Sequence, residues 1–220
     1  IVSFFFATGC VSEWQMDEAG SKFVSVSDNL NSDLGKIAAE GMKKLVTSKC
    51  YVNSSATTDF SAAIPSAVVV SGTWNYENAL GLLGDNFGVA ELPSFEVDGK
   101  SYHLGSYNGC KLMGVKPQSD AKKAAALNKL AQYLTGEQCQ LERFEQKGWG
   151  PSNLAAQKAD AVMAAPHLQA LMAQNNYSRP QGQIHGSWWD IAKVIATSIK
   201  DGMAIDEALN NYQTTIEALF

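Results

Sequence analysis

Two aromatic clusters carry the side chains best suited to gripping a ligand. The first, Ser71-Gly72-Thr73-Trp74-Asn75-Tyr76, directly follows the apolar run Ala67-Val68-Val69-Val70. The second, Gly186-Ser187-Trp188-Trp189-Asp190, directly precedes a helical pattern. A continuous apolar run ending in Gly reads as a buried strand that opens into a loop. Rings at strand ends and helix starts can face a cleft rather than a core. In a cleft, Trp and Tyr hold the apolar face of a sugar ring while polar groups take its hydroxyls. The competing reading makes these rings core, because aromatics dominate core burial.

Catalytic chemistry finds little support. The chain holds no Gly-x-Ser-x-Gly elbow, no phosphate-binding Walker loop and no His-Glu-x-x-His zinc motif. Its three histidines, His103, His167 and His185, lack the spacing of metal ligands on one helix face. Adjacent acids such as Asp17-Glu18 and Asp206-Glu207 do not converge and read as solvated surface. The segment Gly105-Ser106-Tyr107-Asn108-Gly109 matches no nucleotide fingerprint. Its glycines suit close packing or backbone approach to a ligand. No catalytic residue, metal or cofactor is therefore expected.

Composition narrows the partners. The 220 residues suffice for one large or two small domains, and 45% hydrophobic with 18% charged residues is ordinary for a globular protein. A net charge of −5 argues against nucleic acid or an anionic membrane surface. No apolar run is long enough to cross a bilayer. The chain opens abruptly on an apolar run without Met, which reads as a mature product or a fragment beginning inside a fold. Cys10, Cys50, Cys110 and Cys139 form no Cys-x-x-Cys pair. They fit two disulfides of an exported protein or four buried thiols, and the reading favours thiols because a chain this size needs no staples.

The elements that must position these residues follow from periodicity. Residues 1–7 read as a buried strand or an aromatic-rich loop entering one, and Phe23-Val24-Ser25-Val26-Ser27 as a small strand. A helix is expected over 32–49, with an apolar stripe of Leu34, Ile37, Ala38, Met42, Leu45 and Val46. Residues 53–61 form a polar connection with room for a short helix. Strands are expected at 67–71 and at 86–93, the second stopped by Pro93. Asp98-Gly99 signals a hairpin turn, and 102–115 contains a strand. Beyond that lie helices near 119–134, with Ser119 as N-cap, and 136–147. Further helices fall near 153–164, 166–174, 187–201 and 205–219. Ser187 with Asp190 resembles a capping box. Trp188 shares a face with Ile191, Ala192, Ile195 and Ile199, whereas Trp189 points about 100° away. Both rings cannot enter one core, so one faces a cleft. Interleaved strands and helices predict an α/β domain with a C-terminal helical layer.

The order of these pieces resembles the second half of the maltose-binding-protein family, the extracellular solute-binding proteins of sugar ABC transporters. The stretch from Asp33 to Leu45 looks like the family's helix before its ligand-facing strand. Ala67 to Trp74 resembles the strand end "A-M-x-x-x-G-x-W", and Phe87 to Pro93 the strand "Y-G-V-x-x-L-P". Leu134-Thr135-Gly136-Glu137-Gln138 resembles "L-T-x-E-x-Q", Trp149-Gly150-Pro151-Ser152 falls where the family has "G-x-x-P", and Ile205 to Leu209 resembles "x-x-D-E-A-L". No single motif is specific; their order over nearly the whole chain is.

The resemblance implies two α/β lobes joined by a hinge, with sugar bound between them. On that match 1–103 belongs to the second lobe, 104–150 is an excursion into the first, and 151–220 returns to the second. The N-terminal lobe is largely absent, so the chain is expected to be the C-terminal portion of a longer protein. The implied function is non-enzymatic binding of an oligosaccharide, maltodextrin-like, for an ABC importer. The implied partners are its permease subunits and the missing lobe, outside the cytoplasm, in a periplasm or lipid-anchored at a bacterial cell surface. Trp74 and Trp188 fall at the family's stacking tryptophans, expected partly exposed on one shared surface. Tyr76 and Trp189 fall at neighbouring aromatics, and Phe4 or Phe5 at a further ring. Two alternatives stay open. A carbohydrate hydrolase fragment would need two of Glu13, Asp17, Glu77 and Asp190 at about 5–10 Å in the cleft. A binder of another solute would use the same scaffold.

Overall fold

A computed structural model of the chain describes residues 1–52, 66–109 and 112–220. The connection expected at 53–61 and Cys110 therefore lie outside the described residues. Two compact units emerge: residues 1–53, 92–108 and 174–220 form one, 54–91 and 109–173 the other.

The first unit is built on four helices. α1 (Val2–Ala7), α2 (Asp33–Val46), α8 (Trp188–Lys200) and α9 (Ile205–Glu217) bury one apolar core. Its wholly buried members include Phe5, Leu30, Met42, Trp188, Ile195, Leu209 and Ile216. α2 starts where the side chain of Ser32 accepts the Gly35 N–H at 3.3 Å, an N-cap that satisfies a free helix-end donor. Its buried stripe is Gly35, Ala38, Ala39, Gly41, Met42 and Val46. This corrects the expected stripe: Leu34 and Leu45 are 42% and 46% exposed. The shift towards small residues has a cause. A Cβ on Gly41 would lie 2.2 Å from the Phe95 ring, so the helix meets its neighbour through glycine.

Three two-stranded sheets complete this unit. β1 (Ser12–Met16) pairs antiparallel with β2 (Phe23–Asp28). β3 (Ser94–Val97) pairs antiparallel with β4 (Lys100–His103) across Asp98-Gly99. Both turn residues have positive φ, 51° and 76°, as a two-residue hairpin of matching twist requires. β5 (Ser106–Asn108) pairs parallel with β6 (Ser178–Pro180), joining distant parts of the chain.

Four local expectations are corrected here. Residues 1–7 hold α1, not a strand; Phe4, Phe5 and Phe6 are all buried, and the packing of these rings decides the short segment's form. Residues 67–71 form no strand, and Val68 and Val70 are 82% and 69% exposed. An apolar run buried on both faces needs strands on either side, and no described strand pairs with this one. Residues 87–93 are likewise irregular. Ser187 makes no cap hydrogen bond, so the capping box before α8 does not form.

The second unit contains α3 (Tyr76–Leu83), α4 (Ala121–Thr135), α5 (Glu137–Lys147), α6 (Asp160–Ala164) and α7 (Pro166–Gln174), the last ending at the boundary. α4 is capped by Asp120, not Ser119: its carboxylate accepts the Lys122 and Lys123 N–H groups at 2.8 and 3.1 Å. Among the described residues the core of this unit is small, with Val162, Ala165 and Leu168 packed against Leu141 and Phe144. Among the described residues no helix is long and apolar enough to cross a membrane, and Cys10, Cys50 and Cys139 are free thiols.

Candidate functional site

The aromatic side chains of the first unit converge because β5 and β6 pair in one register. That register sets Tyr107 directly opposite Arg179. Gly105, one residue before β5, comes so close to α1 that a Cβ there would lie 2.6 Å from the Phe6 Cβ, which serves the close packing expected of a glycine in this segment. Phe6 then meets Tyr107 edge-on at 4.7 Å between ring centroids. Tyr107 meets Trp189 edge-on at 5.9 Å, and Trp189 meets Trp188 at 4.9 Å. Phe6, Tyr107, Trp189 and Trp188 thus form a continuous aromatic ladder.

The Arg179 guanidinium stacks over Phe6 at 4.4 Å and donates through Nη1 to the Cys10 carbonyl at 2.7 Å. A cation over a ring face is attracted by the ring quadrupole. Beside this assembly lies a cavity of about 690 Å³, lined by Phe6, Tyr107, Arg179, Trp14, Glu13 and the run from Pro180 to Gln183, among others. That volume falls within the ~300–1,000 Å³ typical of small-molecule sites. Burial pushes the Tyr107 hydroxyl up to about 12, so at neutral pH it keeps its proton and remains a donor.

The two adjacent tryptophans have different fates. Trp188 is 0% exposed, and its indole N–H donates to the Tyr212 hydroxyl at 2.9 Å. Tyr212 in turn donates to Asp28 Oδ2 at 2.7 Å. Partial exposure of Trp188 was the expectation, and the structure corrects it: the helix phase that points Ala192, Ile195 and Ile199 inward also points Trp188 inward. Trp189, one position on, is 41% exposed. Phe4 and Phe5 are 6% and 0% exposed, and Phe4 packs on Phe95 at 4.9 Å. These two rings fill the core and present no free face to a ligand.

Trp74 and Tyr76 belong to the second unit. Trp74 is 71% exposed on a single 3-10 turn, Thr73–Asn75. Its ring folds back over Gly72, where a Cβ would lie 2.2 Å from the indole. Tyr76 is half-buried and stacks on His167 at 3.8 Å, with Phe87 at 5.7 Å. His167 Nε2 is itself bonded to the Gly148 carbonyl at 2.7 Å. One face of Tyr76 is therefore occupied by protein.

Sequence reasoning missed Tyr107 and Arg179 as site residues. Tyr107 carried a faint signal, lying inside the noted glycine-rich segment. Arg179 carried none, since an Arg before a Pro is common surface composition and only strand pairing puts it beside Tyr107 and Phe6. Of the acids weighed for hydrolysis, Asp17 is committed to a turn, accepting from Ser21 N and Oγ at 2.6 Å each. Among the described residues no group of three or more His, Cys, Asp or Glu side chains could hold a metal ion.

The sequence and fold match known proteins. A family profile described as bacterial extracellular solute-binding protein matches residues 3–170. Comparison with curated protein sequences finds no match. Among solved structures, a chain solved with acarbose superposes with a TM-score of 0.72 at 22% identity, covering 99% of this chain and 58% of that one. The maltose-maltodextrin binding protein of the thermoacidophilic bacterium Alicyclobacillus acidocaldarius gives a TM-score of 0.68 at 20% identity, covering 98% and 58%. A cyclo/maltodextrin-binding protein complexed with maltotetraose gives 0.70 at 18% identity, covering 99% and 55%. The chain thus spans under two thirds of the structures it matches, and it shares part of their two-lobed fold.

Proposed function

The chain belongs to the bacterial extracellular solute-binding protein family, and from that premise we propose that it binds an oligosaccharide, maltodextrin-like, as part of an ABC import system. The observation that carries this reading is the ladder Phe6–Tyr107–Trp189 beside a cavity of ligand size. A half-exposed indole braced by Tyr107 offers a rigid apolar face at low entropic cost, which suits the CH-rich face of a sugar. The matched structures, one solved with acarbose, one a maltose-maltodextrin binding protein and one complexed with maltotetraose, point the same way, for those proteins.

In this reading Trp189 supplies the stacking ring of the first unit and Trp74, with Tyr76 at its side, that of the second. Trp188, Phe4 and Phe5 hold the scaffold instead. The protein acts by binding and release, without catalytic residue, metal or cofactor. It works outside the cytoplasm, in a periplasm or lipid-anchored at the cell surface, and delivers its ligand to permease subunits. Segments 1–103 and 151–220 contribute to the second lobe of the complete protein, and 104–150 to its first.

The test is calorimetry on the full-length protein with maltose to maltotetraose, beside non-sugar solutes. Saturable heat with an oligosaccharide, at an affinity roughly ten- to hundredfold weaker in Trp189→Ala, is the expected result. Heat only with a peptide or polyamine would replace the ligand class. Release of shorter sugars on prolonged incubation would replace binding with hydrolysis.

A further inference from the structure

The ladder explains how a ring is stacked but not how its hydroxyls are satisfied. Each hydroxyl both donates and accepts, so a matching site needs donors and acceptors together. Arg179 brings donors alone. Of its five N–H groups one is committed, to the Cys10 carbonyl, the one hydrogen-bond acceptor it has among the described residues. That bond and the Phe6 ring beneath fix the fork's plane. The remaining donors sit on a residue that lines the cavity.

Glu13 brings the complement. The alternation of β1 turns Trp14 into the core and Glu13 outward, and Glu13 lines the same cavity. Its carboxylate is exposed and makes no ion pair or hydrogen bond among the described residues. A carboxylate accepts only. The two charges cancel, so the cavity gives no net attraction to an acidic or basic sugar.

Resting on the carbohydrate reading above, we propose that this cavity is a subsite for one ring of a neutral sugar. Arg179 donates to hydroxyls of that ring and Glu13 accepts from them, while Tyr107, braced by the buried Phe6, walls the apolar side. Arg179 is thereby a specificity residue: a planar fork with a fixed orientation selects the spacing of adjacent hydroxyls as a flexible amine does not.

The experiment is calorimetry on the full-length protein with a neutral maltooligosaccharide and with a uronate-containing oligosaccharide of equal length. Loss of a hydrogen bond to a charged group corresponds to roughly ten- to hundredfold in affinity. Arg179→Met should weaken the neutral ligand by about that factor, and Arg179→Lys should recover only part. Glu13→Ala should weaken it roughly three- to tenfold with an unchanged melting temperature, because the side chain is exposed. If Arg179→Met fails to fold, Glu13→Ala decides. Wild-type affinity in the folded variants, with Trp189→Ala still impaired, would overturn the subsite and leave the carbohydrate reading standing. A uronate bound more than about tenfold tighter than its neutral counterpart would overturn the charge-balanced pair. If the wild-type protein binds no sugar, the reading and the subsite fall together.

Discussion

At the scale of single residues, Trp188 and Trp189 differ in what truncation removes. Trp188 is wholly buried and hydrogen-bonded, so Trp188→Ala opens a large cavity and leaves Tyr212 without a donor. It should cost about 3–5 kcal/mol, read in urea melts. Trp189→Ala removes a half-exposed ring. It should leave the melting temperature nearly unchanged while weakening sugar binding by about 1–3 kcal/mol, and Trp74→Ala should behave likewise. Both tryptophan positions unfolding alike and binding normally when folded would make the rings purely structural. Asp28 gives a pH signature. Burial raises its carboxyl above the ordinary value of 3.8, against the lowering effect of the Tyr212 and Leu30 bonds. A raised folded pKa means the native state holds the proton more tightly than the unfolded chain. The associated stability is full below the ordinary carboxyl value and lost as pH rises through the raised one. Asp28→Asn keeps the acceptor for Tyr212 and removes the charge. The wild type should therefore lose stability relative to Asp28→Asn as pH climbs through that window, measured by melting temperature against pH.

At the scale of elements, helix phase decides which substitutions matter. Ile195 on α8 is 1% exposed and Leu45 on α2 is 46% exposed, although both occupy apolar positions at helical spacing. Ile195→Ala should cost about 2–5 kcal/mol and Leu45→Ala less than about 1 kcal/mol, compared by denaturant midpoints. Neither should change the affinity of the folded fraction. α4 buries none of its residues, so its start matters more than its packing. Asp120→Ala, removing acceptors for Lys122 and Lys123 N–H, should cost about 1 kcal/mol of that helix, visible as faster amide exchange in its first turn.

At the scale of the whole molecule, the two units differ in how much core they own. The first buries residues from four helices and the edges of its sheets, while the described core of the second is three small or medium side chains with a few partners. Val68, Val70, Leu112 and Leu154 are each more than two thirds exposed in that second unit. The chain spans 58% of the matched acarbose-bound structure. If the remaining length supplies a second ligand-binding surface, the 220 residues alone should bind sugar at least about tenfold more weakly than the full-length protein, because a single face cannot desolvate the ligand. Equal affinity in side-by-side calorimetry would show that the first unit's cavity suffices.

Much of this was legible in the sequence because it rests on local physics. Asp98-Gly99 announces its hairpin since only tolerance of positive φ allows that turn, and the stripe Ala192, Ile195, Ile199 announces α8 since burial follows helical phase. The 100° between Trp188 and Trp189 already required that one ring leave the core. Which ring left was decided by helix phase, which puts Trp188 on the face of Ala192, Ile195 and Ile199; tertiary structure added the partner for the buried indole, the Tyr212 hydroxyl 24 residues on. The same holds for 67–71, where a run of valines becomes a strand only if partners exist to pair with it. It holds most of all for Arg179. Neither its type nor its neighbours mark it; the parallel pairing of β5 with β6, across some seventy residues of chain, is what sets it between Tyr107, Phe6 and the Cys10 carbonyl. Propensity and period act over a few residues and can be read from the sequence, whereas long-range register depends on every element it joins.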